Sequence, residues 1–407
     1  MFIQKGSSTE KRLYLGEEIA EALTRYCQNE GFLSVVSVSD SNTYSILGHG
    51  INQELKARGI RVKTVILDGQ DLVAAERAIV SVLVEIDRKV QLLIAIGSGT
   101  ITDIVRFVSH RVNKAFVSVP TAPSVDGYAA DSASIYVQGY KRTVPCHAPS
   151  AIFASLPVLS AAPPAMIAAG YQEVLGKSVA LADWELSHLL LGREYSSDVS
   201  ATARAAYQAV VNATEGIARR EPESIRVLFS ALLASGAVTG SEYQIAYILE
   251  MCRSVARQKS VLYGTQIAAG AVIAAGWYHR LRQWNRDEIA GRSLEVPDYE
   301  DEAQEIRTVL GDAGSQMIER NGFLSTLNQP QVERIRTHLL DQWERVQEIA
   351  ASVPAPEELE RQITTVTEAG QRWQGALEEE EMHRAARLSY FVDDRFTIAT
   401  LRFVLGI

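Results

Sequence analysis

Long apolar runs, cysteine pairs and an excess of basic residues are all missing from this sequence, and each absence removes a class of protein. No stretch reaches the roughly 18 uninterrupted apolar residues of a membrane span, so no membrane is expected among its partners. The three cysteines, Cys27, Cys146 and Cys252, are odd in number and lack metal-ligand spacing, which points to reduced, largely buried thiols. The opening residues, MFIQKGSSTEKRLYLG, hold no apolar segment fit for a secretory signal, and a reducing, cytoplasmic setting is the expectation. Forty Lys and Arg against 49 Asp and Glu leave a net charge of -9, which argues against nucleic acid as the main partner. A small phosphorylated substrate stays open, because a local anion site needs only a few amides and cations.

What is present is an ordinary globular composition on a chain of 407 residues, long enough for two domains sharing a cleft. Up to about residue 155, short β-branched runs alternate with amphipathic stretches. The runs are Leu33–Val38, Val62–Leu67, Val90–Ile96 and Ala115–Val119, and the spacing between them predicts helices over Ser45–Arg58 and Leu72–Arg88. This pattern predicts a doubly wound α/β domain over residues 1–155. Residues 156–407 carry Ala- and Leu-rich helical periodicity, in Pro163–Leu191, Asp198–Arg219, Ser224–Val238, Ser241–Ala256 and Gln266–Gln283, and read as an all-α domain. The acidic segment Arg286–Glu305 reads as a solvated loop.

The sharpest local signal is Ile96-Gly97-Ser98-Gly99-Thr100-Ile101-Thr102-Asp103, at the end of an apolar strand. Glycines there let backbone amides approach a pyrophosphate, and the following helix aims its N-terminus at the charge. A Gly–Ser turn after a strand is common, and the motif alone is weak. It is joined by Ser118-Val119-Pro120-Thr121-Ala122-Pro123-Ser124-Val125-Asp126-Gly127 and by SDSNTYSILG (39–48), YKRTVPCHAPSAI (140–152), AAGYQEVLGK (168–177), TGSEY (239–243), LYG (262–264) and DDRFTI (393–398). In this order the segments resemble the dehydroquinate synthase-like and iron-containing alcohol dehydrogenase superfamily, and within it the bacterial glycerol-1-phosphate dehydrogenases.

The resemblance implies a dehydroquinate synthase-like fold: an N-terminal dinucleotide-binding α/β domain, a helical C-terminal domain, and a cleft holding cofactor and substrate. It assigns the pyrophosphate of NAD or NADP to Gly97, Ser98, Gly99 and Thr100, with Asp103 beside them. Thr121 and Ser124 match positions touching the nicotinamide half, Asp126 a carboxylate binding substrate hydroxyls, and Asp40 is placed for ribose hydroxyls. Ala130 departs from the family, which usually has Ser there. His147 sits where relatives often carry Lys near the cleft, and is a candidate substrate contact. Arg395 is read as a structural ion-pair partner rather than a substrate ligand. A homodimer or higher homo-oligomer is expected.

The family usually holds a divalent ion through one Asp and two His, and here the chain departs from it. Glu173 stands where the Asp should be, Tyr243 replaces the first His, Tyr263 the second, and Tyr247 a substrate-side His one turn beyond Tyr243. A phenol with a pKa near 10 is a poor neutral-pH ligand for Zn²⁺, so no metal is expected. The tyrosines either fill a decayed site or form a polar cluster in which a hydroxyl donates to a developing oxyanion and Glu173 accepts the proton. Lys177, one turn beyond Glu173, would lower a phenol's pKa or hold a substrate phosphate. Three functions remain open: metal-free hydride transfer between NAD(P) and a small hydroxy or keto compound, phosphorylated or not; a synthase or lyase that recycles bound NAD; and a non-catalytic dinucleotide-binding descendant.

Overall fold

The computed structural model describes residues 2–4, 11–68, 72–292, 294–367 and 376–406. Part of the opening segment read above for a targeting signal, residues 5–10, lies outside them. Among the described residues there are nine strands, β1 (Phe2–Gln4), β2 (Lys11–Gly16), β3 (Ser34–Asp40), β4 (Arg61–Leu67), β5 (Leu92–Gly97), β6 (Ala115–Pro120), β7 (Ser132–Val137), β8 (Tyr140–Pro145) and β9 (Ala151–Ser155). Seven form one sheet in the order β1-β2-β9-β6-β5-β3-β4, parallel except for the β1–β2 pair, and β7 and β8 form a separate antiparallel hairpin.

Residues 1–167 together with 219–236 make one compact unit, and residues 168–218 with 237–407 make another. In the first, alternate residues of each central strand enter different cores. Leu92, Ile94 and Ile96 join Val35, Val117, Phe153, Leu23 and Ile51 in one core. Leu93 and Ala95 join Val36, Val38, Phe116, Ile104 and Val108 in the other. Burial on both faces is why these strands read as unbroken apolar runs. The expected helix over Ser45–Arg58 is a capped turn at Ser41–Thr43, a π-helical segment Tyr44–Gly48 and a helix His49–Ala57. The helix expected over Leu72–Arg88 is confined to Glu76–Leu83.

The second unit is helical, and among the described residues no strand follows Ser155. Its axis is Pro164–Leu191, a 28-residue helix in which every residue from Ile167 to Asp183 is buried. A helix without a solvent face must be surrounded, and its buried polar groups must find partners. Asp183 finds four: the amide and hydroxyl of Ser241, the Tyr278 hydroxyl and the Ile398 amide all donate to its carboxylate, each at 2.7 Å. Gly264, at the start of the helix Tyr263–Gln283, lies so near the long helix that a Cβ there would overlap the carbonyl oxygen of Ala169. The acidic segment is a loop only in its middle, where the described residues 292 and 294–299 are irregular. Helices run over Arg286–Gly291 and Glu300–Leu310, the first capped reciprocally by Asn285 and Glu288. Glu300, Asp301 and Glu302 fill the first turn of the second, where negative charge meets the positive end of the helix dipole. No helix among the described residues is long and apolar enough to cross a membrane.

Replacing Asp183 by Ala strands four buried donors. The unfolding free energy should fall by about 3 kcal/mol or more, measured by urea denaturation, and an unchanged midpoint would show the carboxylate to be dispensable.

Candidate functional site

The glycine turn is built by the strand that precedes it. β5 is buried throughout and ends in Gly97, whose φ of +152° suits glycine. Its carbonyl accepts from the Thr121 amide at 3.3 Å, tying the turn to the loop after β6. Ser98 is the N-cap of the helix Gly99–Arg111 and forms no side-chain cap. Its carbonyl takes the Thr102 amide at 3.0 Å and the Thr102 hydroxyl at 3.1 Å. A Cβ at Gly99 would come within 2.8 Å of Val125 Cγ2, so the two loops meet only because residue 99 has no side chain. The amides of Gly99, Thr100 and Ile101 belong to a first turn that has no intrahelical acceptors, the usual makings of an anion site.

At the end of β3 the Asp40 carboxylate caps the following turn, Oδ1 accepting from the Thr43 amide at 2.8 Å. Thr43 Oγ1 in turn accepts from the Asp40 amide at 3.1 Å, fixing the carboxylate at the mouth of the strand. The loop after β6 is held by Tyr128. Its hydroxyl donates to the Ala122 carbonyl at 2.8 Å and accepts from Ser124 at 3.3 Å, while its ring packs 6.1 Å from Phe229. Asp126, partly exposed, opens the short 3-10 turn Gly127–Ala129, and Ala130 closes it.

Asp103 engages an arginine that the sequence reading overlooked. Arg106 is fully buried and pairs with Asp103 Oδ1 at 2.5 Å. Its two terminal nitrogens also donate to the carbonyls of Gly127 at 2.6 Å, Ser132 at 3.1 Å and Tyr128 at 3.1 Å. Burial pushes the Asp103 carboxyl up to about 6 against the pull of Arg106. Asp103 thus supports the Asp126-bearing loop through Arg106. The signal was present in sequence: Thr102, Val105, Arg106 and Ser109 trace one buried helical stripe with an arginine in it.

His147 is placed at the far end of the same helix. Its Nε2 is 3.1 Å from Ser109 Oγ and its Nδ1 3.4 Å from His110 Nδ1. At 1.5 Å per residue, that is about 16 Å along the axis from Gly99. His147 is therefore not gathered with the other first-unit candidates.

In the second unit, three tyrosines come together. The ring of Tyr243 lies 6.0 Å from Tyr263, edge to face, and 6.4 Å from Tyr247. The Arg395 guanidinium stands 5.1 Å from the Tyr243 ring centre. Arg395 pairs with Asp393, its Nε donating to Oδ2 at 2.9 Å, and Gln244 donates to the other Asp393 oxygen at 3.0 Å. The expected structural pairing of Arg395 is thus present. Glu173 and Lys177 are both buried on the long helix, one turn apart. The Lys177 ammonium donates to the Val238 carbonyl at 2.8 Å. The close approach at Gly264 sets Tyr263 against Ala169, one turn before Glu173, and Thr265 donates to Gln172 at 3.2 Å.

Glu242 directly precedes Tyr243 in the TGSEY segment. Glu242 is buried, and its Oε1 accepts from the Gly240 amide at 3.1 Å, leaving Oε2 without a hydrogen bond. Burial pushes its carboxyl up to about 7, with Lys177 pulling it down and Asp183 adding to the rise.

One carboxylate and two phenols do not suit a divalent ion at the position where the resemblance implies one. Among the described residues no three His, Cys, Asp or Glu side chains come together as a ligand set.

Comparison with known proteins adds three findings. The family model for iron-containing alcohol dehydrogenase matches residues 14–163. The chain is 36% identical over 286 residues to the glycerol-1-phosphate dehydrogenase [NAD(P)+] of Bacillus subtilis, spanning 67% of this chain and 73% of the relative. It is 32% identical over 342 residues to the protein of that name from Geobacillus stearothermophilus, spanning 81% and 82%. Among solved structures it resembles an iron-containing alcohol dehydrogenase from Corynebacterium glutamicum, at a TM-score of 0.61 and 13% identity over 98% of this chain and 92% of the other. A glycerol dehydrogenase from Schizosaccharomyces pombe aligns at a TM-score of 0.57 and 17% identity, covering 92% and 94%.

Glu242 sets a pH dependence whose sign follows from linkage. A carboxyl raised in the folded state from 4.5 to about 7 binds its proton more tightly than in the unfolded chain. Its contribution is therefore full at low pH and is lost as pH rises across that window. The urea midpoint should fall between about pH 4.5 and about pH 7, and Glu242→Gln should flatten that fall. Parallel curves for the two proteins would refute the assignment.

Proposed function

The chain belongs to the glycerol-1-phosphate dehydrogenase family, and from that membership we propose that it is an NAD(P)-dependent oxidoreductase working without a catalytic metal. Its substrate is a small hydroxy or keto compound of the glycerol 1-phosphate type. The observation that carries the reading is the pairing of an intact phosphate turn, Gly97–Asp103, with a donor set of Glu173, Tyr243 and Tyr263 that no longer suits a divalent ion.

NAD(P), when bound, supplies or accepts the hydride. The amides of Gly99, Thr100 and Ile101 hold its pyrophosphate, Asp40 accepts from ribose hydroxyls, and Thr121 and Ser124 serve the nicotinamide half. Asp126 binds a substrate hydroxyl. In the second unit the Tyr243 and Tyr263 hydroxyls donate to the oxygen at which negative charge develops, and Glu173 takes or returns the proton. Tyr247 flanks Tyr243 and shapes the substrate side. Lys177, donating to Val238, holds the polar cluster in place. Location in the cytoplasm and a homo-oligomeric state belong to the same proposal.

Tyr243→Phe and Tyr263→Phe should each lower turnover on the order of 10²–10³-fold, the usual effect of losing one oxyanion donor. Dinucleotide affinity should stay nearly constant, because the phosphate turn belongs to the first unit. Full activity in both variants would reduce the tyrosines to packing. Gly99→Val should abolish NAD(P)H binding in a fluorescence titration, since Val125 already occupies the space. Chelators should leave turnover intact, and one tightly held metal equivalent lost in Glu173→Gln would sink the metal-free mechanism.

A further inference from the structure

At the C-terminal end of the helix Gly99–Arg111, two imidazoles face each other through the same kind of nitrogen. His110 Nδ1 and His147 Nδ1 are 3.4 Å apart. Hydrogen-bond accounting fixes the state of one of them. Ser109 Oγ donates its single hydrogen to the Arg106 carbonyl at 2.9 Å. Toward His147 Nε2, at 3.1 Å, it must therefore accept, so Nε2 carries a proton. Burial, His110 and Arg106 all push the His147 pKa down. The lone pair of His147 is thus on Nδ1, the atom aimed at His110.

The separation is informative. It lies outside the range of about 2.7–3.2 Å typical of a hydrogen bond donated by N–H. Two imidazole nitrogens on one tetrahedral ion, each bound at about 2.0–2.1 Å, stand about 3.3–3.4 Å apart. The remaining features fit the same use. Ser109 holds the non-ligating nitrogen as the outer partner of a metal-bound histidine usually does. The Phe116 ring, 5.7 Å away, restrains His147, and His110 lies in the last helical turn, where the dipole favours positive charge.

We propose that His110 and His147 form a binding site for a divalent transition metal ion that favours imidazole, Zn²⁺ or Cu²⁺. No third His, Cys, Asp or Glu joins them among the described residues, so water completes the coordination at the exposed His110 side. The site is independent of the dehydrogenase reading, being at the opposite end of the helix from the phosphate turn.

Isothermal titration of the full chain with ZnCl₂ and with CuCl₂ tests it. The intact protein should bind one equivalent, and the Cu²⁺ complex should show superhyperfine coupling to two nitrogens by EPR. His110→Ala, at an exposed position that leaves folding unaffected, should weaken binding about tenfold or more. His147→Asn, which keeps a donor toward Ser109, should do the same, while Glu173→Gln should change nothing. Absence of binding in the intact protein, undiminished binding in His110→Ala, or loss in Glu173→Gln would each overturn the proposal. The last would place the ion instead in the second unit.

Discussion

Asp183 gathers the Ser241 amide and hydroxyl, the Tyr278 hydroxyl and the Ile398 amide onto one buried carboxylate, and the second unit is arranged around that junction. Burial raises the carboxyl and the four donors pull it back. Because the long helix has no solvent face at this level, the carboxylate's only outlets are the helices packed around it. Ser241 begins the helix that carries Glu242, Tyr243 and Tyr247, so its position fixes theirs. Ile398 begins the last helix, and the turn before it carries Asp393 and Arg395. The tyrosine cluster and the guanidinium above it therefore inherit their geometry from a residue on another helix.

The electrostatics of that cluster differ from those of a metal centre. Arg395 is already matched by Asp393, and Lys177 is the cation that lowers the raised Glu242 carboxyl. Charge developing on a substrate oxygen would then be met by oriented hydroxyl dipoles rather than by an excess of positive charge. Oriented dipoles can do this well if they are held in place beforehand. The close backbone approach at Gly264 and the edge-to-face contact of Tyr243 with Tyr263 supply that rigidity.

The parts of the fold legible in sequence were those with one dominant signal. The three doubly buried strands β3, β5 and β6 and the edge strand β4 showed as β-branched runs, and the phosphate turn showed through its glycines. β2 and β9 did not, because KRLYLG opens on two charges and AIFAS is only five residues long, and each is a strand by virtue of its pairing. The hairpin of β7 and β8 was masked by its polar alternation. The acidic segment looks like a loop from charge density alone, but at its two ends capping turns the same carboxylates into helix starts. Asp183 is hidden for a different reason, and Arg106 in part, since its helical stripe is visible but most of its partners are not: a buried polar residue seldom declares itself when its partners are distant in sequence. Arg106 reaches Ser132 and Asp183 reaches Ile398.

Helix Pro222–Ser235 belongs to the first unit although the chain on either side of it belongs to the second. The polypeptide thus passes between units at 167/168, 218/219 and 236/237. Neither unit can be excised with a single cut. A fragment ending near residue 155 would lack Phe229 and leave Tyr128 without its ring partner, loosening the loop that bears Asp126. The first unit is therefore complete only once the chain has run through residue 236, well after the second unit has begun.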